Sequence, residues 1–198
     1  MTEDAGERPG VQRTGGERVR LFVALDLPEP VRAALLEWRA AQAPLQGLRL
    51  TSPAALHATL CFPGWRPTEE IAPVAESCAT ATGGCERPRL RLGESLWLPP
   101  RRPRVLSVAL EDPTGVLGRL QASLSAALSK GGWYEPESRP YLAHVTVARM
   151  PARSRVRAVE LPSPRALEFN APSVTLYRSR LERGGARYEA LATTLLQE

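Results

Sequence analysis

Two short segments of this chain share one pattern, which constrains the fold more than any other feature. One segment is residues 56–60, LHATL, and the other is residues 143–147, AHVTV. Side chains alternate across a β-strand, so the histidine and the threonine of each segment share one face, and the apolar residues point to the other. Each segment is therefore expected to be a strand that buries an apolar face and presents an imidazole beside a hydroxyl.

The same order of predicted elements surrounds each of these segments. In the first half, apolar periodicity predicts a strand, a helix and a strand over 19–25, 29–43 and 55–62. In the second half, the same signals predict a strand, a helix and a strand over 105–110, 112–130 and 142–149, the helix being capped at Asp112-Pro113 and ending at 131–132. This weak internal repeat favours an α+β protein of two similar lobes that face each other.

The remaining segments fill out this arrangement. A helix is expected near 68–82, an extended segment over 88–98, a proline-rich loop over 99–103, and strands over 173–180 and 187–196. Residues 1–18 have almost no apolar periodicity and are predicted to be a flexible tail. We therefore expect one bilobal domain over residues 19–198.

Composition narrows the class of partner. No apolar run approaches the roughly 20 residues that cross a bilayer, and the first residues lack a signal core, so no membrane association and a cytoplasmic location are predicted. The net charge is +5, and Lys130 is the only lysine beside many arginines, whose guanidinium groups suit phosphate oxygens. With three cysteines, no C-x-x-C pair and only two histidines, a metal site or disulfide framework is not expected.

The two histidines form a pair suited to phosphodiester chemistry. A histidine titrates near pH 6.5 (approximately), so at working pH one imidazole can accept a proton from water while the other donates one to the departing oxygen. The hydroxyls of Thr59 and Thr146 can donate hydrogen bonds to the non-bridging phosphate oxygens. We therefore predict that His57 and His144 are catalytic, without metal or cofactor, and that both threonines bind phosphate.

The double H-x-T-x pattern resembles the signature of the two-histidine phosphoesterases. Within them the chain is similar to the RNA 2′,3′-cyclic phosphodiesterases, also called LigT-like or 2′-5′ RNA ligase-like proteins. Similar segments are the opening strand RLFVALDLP over 20–28, the two motifs, and the loop PRRPRVL over 100–106. The chain departs from the family pattern after the first motif and before the second histidine. Cys61 and Pro63 stand where the family tends to have lysine and leucine, and Leu142 and Ala143 stand where it usually has a basic residue and a proline.

The resemblance implies a LigT-like bilobal fold of antiparallel sheets and flanking helices, with the motifs facing across a central cleft on a pseudo-two-fold axis. It implies hydrolysis of an RNA 2′,3′-cyclic phosphate to a 2′-phosphate, with His57 as the acid and His144 as the base. Arg149 is a further phosphate-binding candidate, provided that a bulge turns it to the histidine face. The aromatic residues that could stack on a terminal base are Tyr141, Phe62, Trp65 and Trp97, and Tyr141 is favoured because it lies near the second motif.

Three alternatives stay open at this point. The cleft could bind RNA ends without catalysis, although a binder needs neither an acid nor a base. The substrate could be a small cyclic nucleotide instead of an RNA 3′ end. A phosphodiesterase or ligase acting on 2′-5′ linkages would use the same chemistry with a different nucleophile. The protein is expected to act as a monomer.

Overall fold

The computed structural model describes residues 16–42, 45, 47–151, 158–182 and 185–198, and these form an α+β fold of one curled antiparallel sheet and three helices. In chain order the helices and strands are β1 (Arg18–Asp26), α1 (Glu29–Ala40), β2 (Arg49–Leu50), β3 (His57–Pro67), α2 (Ile71–Thr82), β4 (Arg89–Leu98), β5 (Val105–Glu111), α3 (Val116–Lys130), β6 (His144–Arg149), β7 (Glu168–Asn170), β8 (Ser173–Glu182) and β9 (Gly185–Leu195). Within the described residues, no helix is long and apolar enough to cross a membrane.

The strand order divides the sheet into two equivalent halves. It runs β7-β4-β5-β6-β3-β1-β8-β9, with β2 paired to β6. Reading outward from the middle, β3 is followed by β1, β8 and β9, while β6 is followed by β5, β4 and β7. We call these groups the first and second lobes. They meet through one registered pair of residues, Ala58 with Val145, so the junction falls directly beside the two histidines.

Two helices make contacts in the opposite lobe from the strands that precede them. Helix α1 follows β1, yet the Arg39 guanidinium donates to the Val147 carbonyl of β6 at 3.0 Å. Helix α3 follows β5, yet the Gln121 amide donates to the Leu60 carbonyl of β3 at 3.3 Å. These crossed contacts bind the lobes together, and one cluster of buried apolar side chains includes residues of both.

Most predicted elements are confirmed, with differences at their ends. Helix α1 stops at Ala40, before the predicted end at 43, and the first turn of the predicted helix over 68–82 is a 3₁₀ turn. Helix α3 begins at Val116 instead of Asp112, because the Asp112 carboxylate accepts the Gly118 amide at 2.9 Å and so caps the helix from one turn away. Its leucines 117, 120, 124 and 128 are buried as the periodicity predicted.

The N-terminal boundary differs slightly from the expected one. Strand β1 starts at Arg18, and the Glu17 carbonyl accepts the Thr68 amide at 3.0 Å, so residues 17 and 18 belong to the first lobe. The predicted flexible tail otherwise covers residues 1–15, which lie outside the described residues. That 19–198 is a single functional domain stays a prediction.

Candidate active site

The two histidines are the first residues of the two strands that meet at the lobe junction. His57 opens β3 and His144 opens β6, and the pairing of Ala58 with Val145 places the next residue of each strand side by side. Both alanine and valine are fully buried there, whereas the histidines are partly exposed. Alternation along the strands therefore turns both imidazoles to the opposite face from this buried pair, as the sequence predicted.

The backbone holds both imidazoles in the same way. The Nδ1 of His57 lies 2.8 Å from the Ala55 carbonyl, and the Nδ1 of His144 lies 2.8 Å from the Leu142 carbonyl. A carbonyl only accepts, so each Nδ1 carries a proton, and in the neutral ring Nε2 is left as the basic atom. In His57 this Nε2 lies 3.2 Å from the Thr59 hydroxyl, which donates to it. Each histidine thus offers one nitrogen for proton transfer.

A bulge in β6 turns Arg149 to the histidine side. The register between β5 and β6 shifts between Leu106 and Ser107, which leaves Val147 as an extra residue on β6. The alternation restarts after this residue, so Arg149 shares the cleft with His144 instead of pointing away from it. The bulge that Arg149 requires to reach the histidine face is therefore present.

The cleft between the lobes has a volume of about 420 Å³ and is lined by both histidines and both motif threonines. Three arginines also line it: Arg20 from β1, Arg49 from β2 and Arg149 from β6. Within the described part of the chain, none of these guanidinium groups forms a salt bridge. Unpaired cations around a cleft are suited to an anion such as phosphate. Arg20 and Arg49 were not predicted, and β2 is too short to detect from periodicity.

The surroundings of His57 disfavour its charged form. Burial lowers the pKa of His57 to about 4, and the positive charges of Arg149 and His144 act in the same direction. The Ala55 carbonyl and the Asp26 carboxylate oppose this fall. In the protein alone at neutral pH, His57 is therefore neutral, and a bound anion would compensate the arginine charge and favour its protonation.

Asp26 is the carboxylate that faces the first motif. It pairs in register with His57, and it accepts hydroxyl bonds from Ser173, Thr175 and Tyr177 at 2.7, 2.6 and 2.7 Å. These three donors are alternate residues of β8, so they lie on one face of that strand. No role for Asp26 in the site was predicted from the sequence, because β8 is distant along the chain and its pairing with β1 was not foreseen.

An aromatic wall completes the first-lobe side of the cleft. The Phe22 ring lies 4.9 Å from the His57 ring and 5.2 Å from Tyr177, and Tyr188 contacts Phe22 edge-on at 4.8 Å. Phe62 also lines the cleft and is 43% exposed, and the Arg20 guanidinium lies 4.7 Å from its ring centroid. Phe62 is thus an exposed aromatic ring of the cleft and one of the stacking candidates that the sequence offered.

The structure places Tyr141 differently from the prediction. Its hydroxyl donates to the Thr59 carbonyl at 3.1 Å, and its ring packs against the core. Burial raises its pKa, and it is absent from the residues that line the cleft. Tyr141 therefore ties the segment before the second motif to the first motif, and base stacking by Tyr141 gains no support from this geometry.

Two lobes that bring two histidine–threonine strands to one cleft define the class of two-histidine phosphoesterases. Residues 27–182 match the model of the 2′-5′ RNA ligase superfamily, and the chain belongs to this family. It is 30% identical over 179 residues to the RNA 2′,3′-cyclic phosphodiesterase of Escherichia coli strain K12, covering 88% of this chain and 95% of that protein. It is 32% identical over 189 residues to the Thermus thermophilus protein of the same name, covering 87% and 88%.

Solved structures show the same fold. The crystal structure of E. coli LigT complexed with 3′-AMP has a TM-score of 0.78 and 28% identity, covering 92% of this chain and 100% of that chain. TT0787 of Thermus thermophilus has a TM-score of 0.77 and 31% identity, covering 89% and 97%. The family resemblance and the LigT-like bilobal fold expected from the sequence are confirmed.

Proposed function

We propose that the protein is a hydrolase that opens RNA 2′,3′-cyclic phosphate ends by proton transfer between His57 and His144. The observation that carries this proposal is the matched setting of the two imidazoles, each anchored through Nδ1 and left with Nε2 for chemistry in one shared cleft. The names of the two relatives, RNA 2′,3′-cyclic phosphodiesterases, support the same reaction class.

In the proposed reaction, His144 accepts a proton from water as the water oxygen bonds to phosphorus. The bond from phosphorus to the 3′ oxygen breaks, and His57 donates a proton to that oxygen. The product is a 2′-phosphomonoester beside a free 3′ hydroxyl. His144 gains one proton and His57 loses one, so proton exchange with solvent returns both imidazoles to the charge states in which they began. This direction follows the family resemblance.

Because the pKa of His57 is low, His57 can act as the acid only if something in the bound complex favours its protonation. An acid must be charged before it can donate, and in the protein alone burial and Arg149 keep His57 neutral. A phosphate anion placed between the histidines adds the negative charge that favours imidazolium. We therefore propose that substrate binding itself protonates His57, and that Asp26 assists because its carboxylate raises the same pKa.

The phosphate is held by groups from both lobes. The hydroxyls of Thr59 and Thr146 donate to the non-bridging oxygens, and the unpaired guanidinium of Arg149 supplies a charged donor. The Thr146 hydroxyl also lies 3.4 Å from that of Ser107. These donors are fixed on strands, so they require little rearrangement when charge develops on the phosphate.

The proposal is tested with purified protein and a short RNA that carries a 2′,3′-cyclic phosphate, incubated with EDTA. The product is compared chromatographically with 2′- and 3′-phosphate standards, and the double variant His57→Ala/His144→Ala is the control. We expect a 2′-phosphate end that the double variant does not form. Loss of activity in EDTA would contradict the metal-free scheme, and no reaction on RNA or a cyclic mononucleotide would overturn the proposed function. Action as a monomer in the cytoplasm stays a prediction from the sequence.

A further inference from the structure

A second cavity opens beside the catalytic cleft and has a similar volume, about 410 Å³. Four residues line both spaces: Glu182, Gly185, Ala186 and Tyr188. All four belong to strands β8 and β9, which pair as a hairpin. The two cavities are therefore neighbours along this hairpin, and a ligand that fills the cleft can continue into the second cavity.

The volume of the cleft limits how much of a substrate it can hold. Binding pockets for single small ligands range over about 300–1,000 Å³, so a cleft at the lower end of this range takes about one nucleotide. An RNA with a cyclic phosphate on its last nucleotide must then place the preceding nucleotide outside the cleft. The second cavity adjoins the cleft and is large enough for that nucleotide.

The lining of the second cavity suits a nucleotide. Tyr188 stands between the cavities, with its ring 5.2 Å from the His57 ring, and offers an aromatic surface to a base. The Arg187 guanidinium lies 4.0 Å from the Glu182 carboxylate, and both side chains are more than half exposed. Such a loose exposed pair contributes little free energy, so Arg187 can turn to a phosphate instead. Ser52 also lines the second cavity and adds a hydroxyl that can bond to a ribose.

We propose that this second cavity binds the nucleotide on the 5′ side of the terminal one, with Arg187 at the connecting phosphate and Tyr188 at the base. The inference rests on the proposed function and extends it, because it makes the protein an enzyme of RNA ends in preference to cyclic mononucleotides. The catalytic groups are the same for both substrates, and only the occupancy of the second cavity differs.

The test compares kcat/KM for a 2′,3′-cyclic mononucleotide with kcat/KM for a dinucleotide that carries the same cyclic end. Stacking of one base contributes about 1–3 kcal/mol, which corresponds to an advantage of about 5- to 150-fold for the dinucleotide. Arg187→Ala should reduce this advantage, and Ser52→Trp, which fills the cavity, should abolish it. Neither change should alter turnover of the mononucleotide.

Two matched controls separate this effect from disturbance of the fold. Arg180→Ala removes an arginine of the same hairpin that pairs with Glu189 and lines neither cavity, and Ser52→Ala changes position 52 without adding bulk. Both should keep the dinucleotide advantage. Equal kcat/KM of wild type for the two substrates would overturn the inference. So would loss of mononucleotide turnover in Ser52→Trp, since the cavity would then hold the terminal base. Absence of turnover on both substrates would instead overturn the proposed function.

Discussion

In both lobes, the histidine strand lies antiparallel to the strand that precedes it in the strand–helix–strand repeat, β3 against β1 and β6 against β5, and it bulges immediately after the threonine. The extra residue is Leu60 in β3 and Val147 in β6. In both halves, the histidine Nδ1 bonds to the carbonyl two residues earlier. The backbone thus repeats the placement of an imidazole and a hydroxyl without repeating the surrounding sequence.

The side chains around each motif differ where the backbone is the same. Asp26 is paired with His57, whereas Ala109 is paired with His144. Five residues after each histidine, Phe62 stands in the first lobe and Arg149 in the second, and both line the cleft. The repeated backbone thus supplies the proposed proton-transfer pair, while position five after the histidine carries an aromatic ring in the first lobe and a guanidinium in the second, which we expect to contact the base and the phosphate respectively.

The largest expected effect comes from removing either imidazole. General acid–base catalysis contributes about 10²- to 10⁴-fold, so His57→Ala and His144→Ala should each lower kcat by that factor. Because the two groups act as a unit, the double variant should be about as slow as either single variant. Steady-state rates on the cyclic RNA, with circular dichroism as a check of folding, measure this. A single variant that keeps wild-type turnover would break the equivalence of the lobes.

The next effect separates Arg149 from Phe62. A hydrogen bond to a charged group contributes about 1.5–3 kcal/mol, so Arg149→Ala should lower kcat/KM about 10- to 150-fold for every cyclic substrate. Phe62→Ala should lower kcat/KM less, and by a factor that depends on the base, because an exposed ring can stack on a base but offers no hydrogen bond to a phosphate. Kinetics on the four cyclic mononucleotides would show this. The exposed loop variant Arg102→Ala is the control, and identical base profiles for both cleft variants would contradict the division between the lobes.

The threonines should show a smaller and unequal effect. Replacing one neutral donor costs about 0.5–1.5 kcal/mol, so Thr59→Val should lower kcat about 2- to 12-fold. Thr146→Val should cost less, because the Thr59 hydroxyl also bonds to Nε2 of His57, whereas the Thr146 hydroxyl lies beside that of the buried Ser107. Ser107→Ala, which removes a hydroxyl that does not line the cleft, is the matched control and should keep the wild-type kcat. Equal losses in the two single valine variants would refute the added role of the Thr59 hydroxyl.

The smallest effect concerns the charge of Asp26. Asp26→Asn should lower the pKa of His57 below its value of about 4, because the carboxylate raises it. The folded pKa of His57 lies below the unfolded value of about 6.5, so the free energy of unfolding decreases as pH falls from 6.5 through the folded pKa. In Asp26→Asn the folded pKa is lower still, so this decrease continues to a lower pH. NMR titration of the imidazole protons measures the shift. Ser173→Ala, which removes one hydroxyl bond but keeps the charge, should leave the pKa nearly unchanged, and an equal shift there would show that only geometry matters.

Local patterns sufficed for the parts of the site that lie on one strand. Alternation predicted that His57 and Thr59 share a face. It also showed that Arg149 reaches the face of His144 only if a bulge intervenes. Cleft residues that come from other strands of the sheet were not predicted. Strands as short as β2 and β7, with two and three residues, carry no periodic signal. Arg49 enters the cleft through β2, and Tyr188 through the distant β9. Tyr141 was favoured for base stacking because it is close to the second motif in sequence, whereas in the structure its hydroxyl bonds to the Thr59 carbonyl.

The pairing of β1 with β8 has a consequence for the order in which this protein can be completed during synthesis. Strands β4, β5 and β6 are made within residues 89–149, so most of the second lobe can assemble while the rest of the chain is still in the ribosome. In the first lobe, β1 starts at residue 18, but β8 is complete only at residue 182 and β9 only at residue 195. Until β8 is made, the apolar β1 presents an unpaired edge, which is a site for aggregation and for chaperone capture. The nascent chain therefore keeps the strand that carries His57 in an unfinished sheet until β9 has been made.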